Sequence, residues 1–311
     1  MLPPSADSWY LSGTTASGKT ALSLALARRL GAEIVSMDSM ALYRGMDIGT
    51  AKPSLAERGE IPHHLIDVLQ PHEEYSLATY VAEAQRVCAE IQQRGRQALF
   101  VGGTPLYLKA LLRGIFTGPP ADWELRRQLG EIATRDEGRE LHARLAAVDA
   151  ESAARLHPRD TRRIIRALEV YEKTGQPISR LQQQFDRARP AEQARVFVLH
   201  WPRAEQNLRI DHRVDAMFAG GFVDEVRALQ RLEQPLSRTA TQAVGYREVI
   251  EHLQGSRSLS ETIDLVKLRT RQFAKRQMTW FRSLSECRMI EGHEAADRIT
   301  LSRRLVETGS Q

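Results

Sequence analysis

The stretch Gly13-Thr14-Thr15-Ala16-Ser17-Gly18-Lys19-Thr20 fits the pattern G-x-x-x-x-G-K-[ST] in full, and it constrains the fold more than any other feature of the chain. An apolar strand candidate, Trp9-Tyr10-Leu11, precedes it, and a helical pattern from Lys19 to Leu30 follows. Strand, glycine-bounded loop and helix in that order make a phosphate cradle. Backbone N–H groups converge on an anion, and the helix N-terminus adds its partial positive charge. Lys19 is placed to neutralise an outer phosphate, and the Thr20 hydroxyl to reach a Mg²⁺ ion. The loop specifies a polyphosphate with Mg²⁺; it does not distinguish a triphosphate from a diphosphate ester.

Further along the chain, short apolar runs alternate with amphipathic stretches, the pattern of a parallel sheet with crossover helices. Gly31 closes the first helix, and Glu33 to Met37 forms a strand that ends at Asp38. Leu65 to Leu69 is a further strand candidate, and Tyr80 to Gln93 is helical until Gly95. Ala98 to Val101 reads as a buried strand ending in Gly102-Gly103-Thr104, with a helix from Leu106 to Leu112. Thr117-Gly118-Pro119-Pro120 marks a boundary, and from Asp122 to Gln184 the pattern is helical throughout. After Pro190 one more strand, Val196 to Leu199, precedes a helical remainder from Arg203 to Leu284. The expected fold is therefore α/β, a P-loop NTPase-like parallel sheet core with an all-helical insertion domain. Its expected parts are the first part of the core over 1–116, the insertion over 117–194, and the second part of the core with C-terminal helices over 195–311.

The chain carries 44 Lys and Arg against 39 Asp and Glu, a net charge of +5. That balance favours a polyanionic partner. The excess is organised on two helices. On Thr161 to Thr174, Arg162, Arg166 and Lys173 lie beside an apolar face of Ile164, Leu168 and Tyr171, with Arg163 nearby. On Glu261 to Leu284, Lys267, Arg271, Lys275 and Arg282 form a stripe, with no acidic residue between Leu265 and Ser285. A solvated face normally mixes signs, so an unmixed stripe points to an anionic partner. Two distant cysteines, Cys88 and Cys287, indicate neither a disulfide framework nor a zinc site. Met1 to Ser8 is not a signal peptide, and no apolar run is long enough to span a bilayer. A soluble cytoplasmic protein, with no membrane partner, is expected.

In an open parallel sheet, ligands bind beyond the carboxyl ends of the strands. Three ends here carry useful groups: the glycine loop after Leu11, Asp38 after Met37, and Thr104 after Gly103. Asp38 suits either a Mg²⁺ ligand or a general base; Thr104 suits either a site hydroxyl or a helix start. The stretch from Asp38 to Pro53 reads as a loop over the site. His63-His64 lacks a third metal ligand and reads as structural.

Taken together, several strings resemble the tRNA dimethylallyltransferase family (IPP transferases) and recur there in the same order. They are Gly13 to Thr20, Ser36-Met37-Asp38-Ser39-Met40, Tyr43 to Pro53, Pro62 to Asp67, Val101 to Thr104, Arg166 to Glu169, Val244-Gly245-Tyr246 and Lys275 to Arg282. The most specific is Tyr-Arg-Gly-Met-Asp-Ile-Gly-Thr-Ala-Lys-Pro. The resemblance implies transfer of a dimethylallyl group from its diphosphate to N6 of the adenosine 3′ of the anticodon, in tRNAs reading codons that begin with U. It implies dimethylallyl diphosphate as co-substrate, Mg²⁺, and the anticodon stem-loop of tRNA as partner; a monomer is expected.

Residue by residue, Gly13, Thr14, Thr15, Ala16, Ser17, Gly18, Lys19 and Thr20 would hold the diphosphate, with Thr20 on the metal. Asp38 would be the base, Thr104 would help hold the amine and ring, and Arg213 would reach the diphosphate. Contacts to tRNA would come from Asp38, Ser39, Met40, Ala41, Thr104, Arg126, Arg162, Arg163, Arg166, Gln242, Gly245, Tyr246, Arg247, Lys275, Arg276, Gln277, Thr279, Trp280 and Arg282. Four positions depart from the family pattern: Thr14 replaces a proline, Ala41 a glutamine, Pro105 a flexible residue and Gln242 an arginine. No C-terminal Cys/His zinc finger is present, which implies the bacterial form. The alternatives are a P-loop small-molecule kinase, a nucleic-acid-binding NTPase, and a prenyltransferase acting on free adenine nucleotides.

Overall fold

The structure, a computed structural model, describes residues 4–116, 118–182, 190–293 and 297–309. Six strands form one parallel sheet: β1 (Trp9–Gly13), β2 (Ala32–Ser36), β3 (His63–His64), β4 (Gln97–Gly102), β5 (Val196–His200) and β6 (Cys287–Glu291), in the order β3-β2-β4-β1-β5-β6. The central strands are apolar on both faces because helices cover both. Alternation along β1 and its neighbours divides the apolar residues. Tyr10, Phe100, Val196 and Val198 join one core, while Trp9, Leu11, Leu99 and Phe197 join the other.

The helices of the first half are α1 (Lys19–Leu30), α2 (Leu55–Glu60), α3 (Leu77–Gln93) and α4 (Pro105–Arg113). Then follow α5 (Trp123–Arg135), α6 (Arg139–Val148), α7 (Ala150–Arg155), α8 (Thr161–Thr174) and α9 (Ile178–Leu181). The second half has α10 (Arg203–Ala219), α11 (Phe222–Gln230), α12 (Arg238–Thr241), α13 (Tyr246–Leu253), α14 (Leu259–Arg282) and α15 (Arg298–Gly309). Two compact units result: Met1–Leu112 with Ala188–Gln311, which contains the sheet, and Arg113–Arg187. The second unit is helical among its described residues and has its own core of Leu129, Leu141, Leu145, Ile164, Leu168 and Ile178. Thr117, where the sequence suggested a boundary, and Gln184, the expected end of the helical run, lie outside the described residues.

Two expectations change. The strand expected over Leu65 to Leu69 is absent, because Leu65 and Asp67 adopt positive φ and turn the chain away after His64. The segment after Leu284 adds β6 and α15, which the sequence did not suggest: only Ile290 of β6 is buried, so the strand lacks a long apolar run.

The register brings the strand ends to one edge. Ser12 pairs with Gly102, Gly13 with Leu199, and Ser36 with Val101. Since β2, β4 and β1 are adjacent, the segments that follow them leave the sheet side by side.

Candidate active site

The glycine loop leaves β1 and enters α1 through Gly18, whose φ is 92°. Its carbonyl oxygens are held from outside. Lys19 Nζ donates to Gly13 O at 3.0 Å and Thr14 O at 2.7 Å; Gln206 donates to Thr15 O, Arg209 to Ala16 O, and the Trp201 indole to Ser17 O. Of the loop amides, Thr15 N donates to Gln277 and Ser17 N to Thr14 O; the N–H groups of the first turn of α1 have no intrahelical acceptor, and an anion would be bound there. Gln206, Arg209 and Trp201 were invisible to sequence reasoning, since they lie nearly two hundred residues from the loop. Arg209 also stacks on Trp201, with its guanidinium 4.3 Å from the ring centroid. Thr14 is buried, and its hydroxyl donates to Gln206 Oε1 at 2.8 Å. The conformational constraint that a proline would give this position is thus supplied by a hydrogen bond.

Asp38 follows β2. Its Oδ1 accepts from Met40 N, and the Thr104 hydroxyl beyond β4 accepts from Ser39 N at 3.1 Å. Thr104 N in turn donates to Met37 O, so the ends of β2 and β4 are laced together. Asp38, Lys19 and Arg213 form one electrostatic group. Burial and then Arg213 push the Lys19 ammonium down to about 7, while Asp38 opposes them. Burial likewise lowers Arg213, and Asp38 again opposes it. Behind Asp38 lie the stacked rings of Tyr80 and Tyr107. Burial holds both phenols well above the usual tyrosine range, with the Asp38 charge adding to the shift. This aromatic wall, too, was missed from sequence.

The long loop after Asp38 is pinned rather than free. Glu225 of α11 accepts from three successive amides, Asp47 N, Ile48 N and Gly49 N, and from the Tyr246 hydroxyl at 2.6 Å. Thr50 O then accepts from Arg213. Gly49 packs beneath two rings: a Cβ there would lie 2.3 Å from Phe222 and 2.5 Å from Tyr246. Lys52, with a side chain only 2% exposed, pairs with Asp47 and Asp67. Burial works to raise the Asp67 carboxyl, but hydrogen bonds from Lys52 and Arg58 outweigh it and hold it low. His63 and His64 are structural in this setting, bonded to Ile61 O and to Glu33.

The residues expected to touch RNA fall into three groups. Arg162, Arg163, Gln242, Arg247, Lys275, Arg276, Thr279 and Arg282 are exposed. Arg126 and Arg166 are half-buried; both grip Glu169, whose side chain is fully buried. Ser39, Met40 and Trp280 are also half-buried. Ala41, Gly245, Tyr246 and Gln277 are buried, with Tyr246 and Gln277 turned inward on protein partners. The stripe on α14 is also less uniform than its sequence. Lys267 pairs with Asp215 and Arg271 with Asp211, both on α10, so a neighbouring helix supplies the missing acids. Among the described residues, Lys275, Arg276 and Arg282 have no ion pair; Gln272, Lys275, Arg276, Thr279 and Trp280 line an open groove of about 400 Å³.

By fold and by site, this is a P-loop α/β protein with a carboxylate and a threonine hydroxyl gathered beside one phosphate cradle. The chain matches the family model described as IPP transferase over residues 41–284, and that of isopentenyl transferase over 7–70. It is 45% identical to the tRNA dimethylallyltransferase of Rhodopirellula baltica, covering 97% of this chain and 94% of the relative. With that of Symbiobacterium thermophilum it shares 49% identity, over 93% and 91%. Among solved structures it resembles the full-length tRNA isopentenylpyrophosphate transferase of Bacillus halodurans (TM-score 0.69, 35% identity, 97% and 96% covered). It also resembles a eukaryotic dimethylallyltransferase acting on tRNA (TM-score 0.77, 26% identity, 96% and 77% covered). The chain belongs to the IPP transferase family of tRNA dimethylallyltransferases. The small-molecule kinase reading does not fit these relatives.

Proposed function

We infer that the protein transfers the dimethylallyl group of dimethylallyl diphosphate to N6 of the adenosine immediately 3′ of the anticodon, in tRNAs that read codons beginning with U. Within a chain of this family, the observation that carries the reading is that Asp38 and Thr104, at the laced ends of β2 and β4, leave the sheet beside the glycine loop that follows β1.

The chemistry asks for two services. The N6 lone pair is delocalised into the ring and is a poor nucleophile, so the allylic carbon must become strongly electrophilic as pyrophosphate departs. Lys19, Arg213 and the amides at the start of α1 would supply the cations and dipoles that meet that developing charge, which is electrostatic stabilisation of the leaving group. Lys19 would exchange its bonds to Gly13 O and Thr14 O for phosphate oxygens, and the anion would restore its depressed affinity for a proton. Asp38 would take the proton from the amine, a role for which a positioned base contributes ~10²–10⁴-fold. Thr104 would orient the amine.

The donor set suits Mg²⁺ as well. Thr20, in the first turn of α1, is a hard oxygen donor and would hold the ion. The ion would share its coordination with substrate phosphates, as Mg²⁺ commonly does. When bound, Mg²⁺ would shield charge on the leaving pyrophosphate.

The target base must leave its stack to reach the pocket. Exposed cations of α14 and of α8 would grip the RNA backbone while it does so. The reading takes the protein to be cytoplasmic, where unmodified tRNA is made, and monomeric. No helix among the described residues is long and apolar enough to cross a membrane.

Incubation with labelled dimethylallyl diphosphate and unmodified tRNA, followed by nucleoside analysis, tests the reading. Label in N6-(dimethylallyl)adenosine is expected; ATP turnover without label transfer would overturn it. In Asp38→Asn, transfer should be lost with tRNA affinity retained, and near-normal turnover would remove Asp38 from its role.

A further inference from the structure

We propose that Gln277 is a positioning residue of the transfer site, tying the diphosphate cradle to the turn that carries Thr104, and is not an RNA contact. The proposal rests on the transfer reading above. Gln277 belongs to the stretch of α14 whose neighbours Lys275, Arg276, Thr279 and Arg282 stand in solvent, yet it is only 4% exposed. Helical spacing puts it in line with Ala274 and Phe281, both buried.

Its primary amide uses both ends. Oε1 accepts from Thr15 N in the glycine loop at 2.9 Å, and Nε2 donates to Gly103 O at 2.6 Å. Gly103 is the residue before Thr104, and a Cβ on Gly103 would lie 2.7 Å from Gln277 Nε2. A glycine at this position leaves the amide the space it occupies. From Gly103 the connection continues through the Thr104 hydroxyl to Ser39 N, and Asp38 is the next residue. One planar side chain thus sets the separation between the loop that would hold the leaving group and the turn that would hold the nucleophile.

In-line displacement is sensitive to that separation, since a misplacement of about 1 Å can cost on the order of 10²-fold in rate. No other side chain is recorded as bonding both loops among the described residues.

The test compares wild type with Gln277→Met, which keeps volume and removes both bonds, and with Gln277→Glu, which keeps only the acceptor for Thr15 N. Three quantities are read on the full chain: kcat for label transfer, the dissociation constant for inorganic pyrophosphate by calorimetry, and anticodon stem-loop affinity at several salt concentrations. For Gln277→Met, kcat should fall about 10- to 100-fold and pyrophosphate should bind several-fold more weakly. Stem-loop affinity and its salt slope should be unchanged, which also shows that the variant folds. If the Met variant fails to fold, the Glu variant is read the same way, with loss of kcat at unchanged stem-loop affinity as the expected result. Unchanged kcat and pyrophosphate binding, or weakened stem-loop binding with pyrophosphate binding intact, overturns the proposal. Should wild type transfer no label, the functional reading fails, while the pyrophosphate and stem-loop measurements still decide the place of Gln277.

Discussion

The cations at the phosphate loop and the cations along α14 have the same formal charge and opposite surroundings. Loss of water pushes both Lys19 and Arg213 toward their neutral forms, with Arg213 adding to the effect on Lys19, while the one carboxylate of Asp38 opposes the shift in both. Lys275, Arg276 and Arg282 stand in water, with no ion pair among the described residues. Lys267 and Arg271, two turns and one turn earlier on the same helix, are neutralised by aspartates of α10. The difference teaches that positive charge has two uses here. Cations largely withdrawn from water are held at a cost to folding, and a short-range, highly charged ligand would offset it. Exposed cations cost little and act at longer range through a salt-dependent attraction.

Predictions from this comparison run from large to small. Lys19→Met should lower transfer by ~10²–10³-fold, the usual effect of removing one preorganised donor, measured by single-turnover label incorporation. The same variant should be more stable than wild type. The Lys19 ammonium has a folded pKa of about 7, below its unfolded value, so its cost is fully present below pH 7. That cost fades as pH rises toward the unfolded value, and the gain in Tm, about 2 °C or more at pH 6, should vanish above pH ~10.4. A lower Tm at pH 6 would break the contrast between the two sets of cations.

Pyrophosphate affinity without added Mg²⁺ should fall as pH rises through about 7, where Lys19 loses its proton. Lys19→Arg should remove that component, because a guanidinium stays charged; calorimetry from pH 6 to 9 reads both. Arg276→Ala and Arg282→Ala should each weaken stem-loop binding and reduce the salt slope by about 0.7–0.9. Lys267→Ala, whose partner is Asp215, should change that slope least of all. A slope change in Lys267→Ala equal to that in Arg282→Ala would mean that the α10 aspartates release their partners when RNA binds.

Much of the fold was legible because its signals are local. The P-loop consensus, the apolar strands ending at Asp38 and Thr104, and the helix from Asp160 to Gly175 could be read directly, and α8 spans Thr161–Thr174 as the pattern suggests. The weak strand at the C-terminal edge was not legible, because β6 has no long apolar run. The α14 stripe was legible in position and misleading in charge, since Asp211 and Asp215 lie on another helix. Within the candidate site, the family resemblance marked Gln277 and Tyr246 as RNA contacts but not what they touch in the fold. Tyr246 bonds Glu225, and Gln277 bonds two loops far away in the chain.

The sequence by itself determined that a phosphate cradle opens an α/β sheet, which residues end its strands, and which family the motifs resemble. Only the tertiary structure decided how the cradle's carbonyls are held, which cations lie half-buried near Asp38, and which of the basic residues on α14 have no acidic partner among the described residues. The physical reason is range. Backbone conformation and amphipathic period are set by neighbours a few residues apart, whereas desolvation, charge pairing and side-chain bridging depend on groups that only folding brings within a few ångströms.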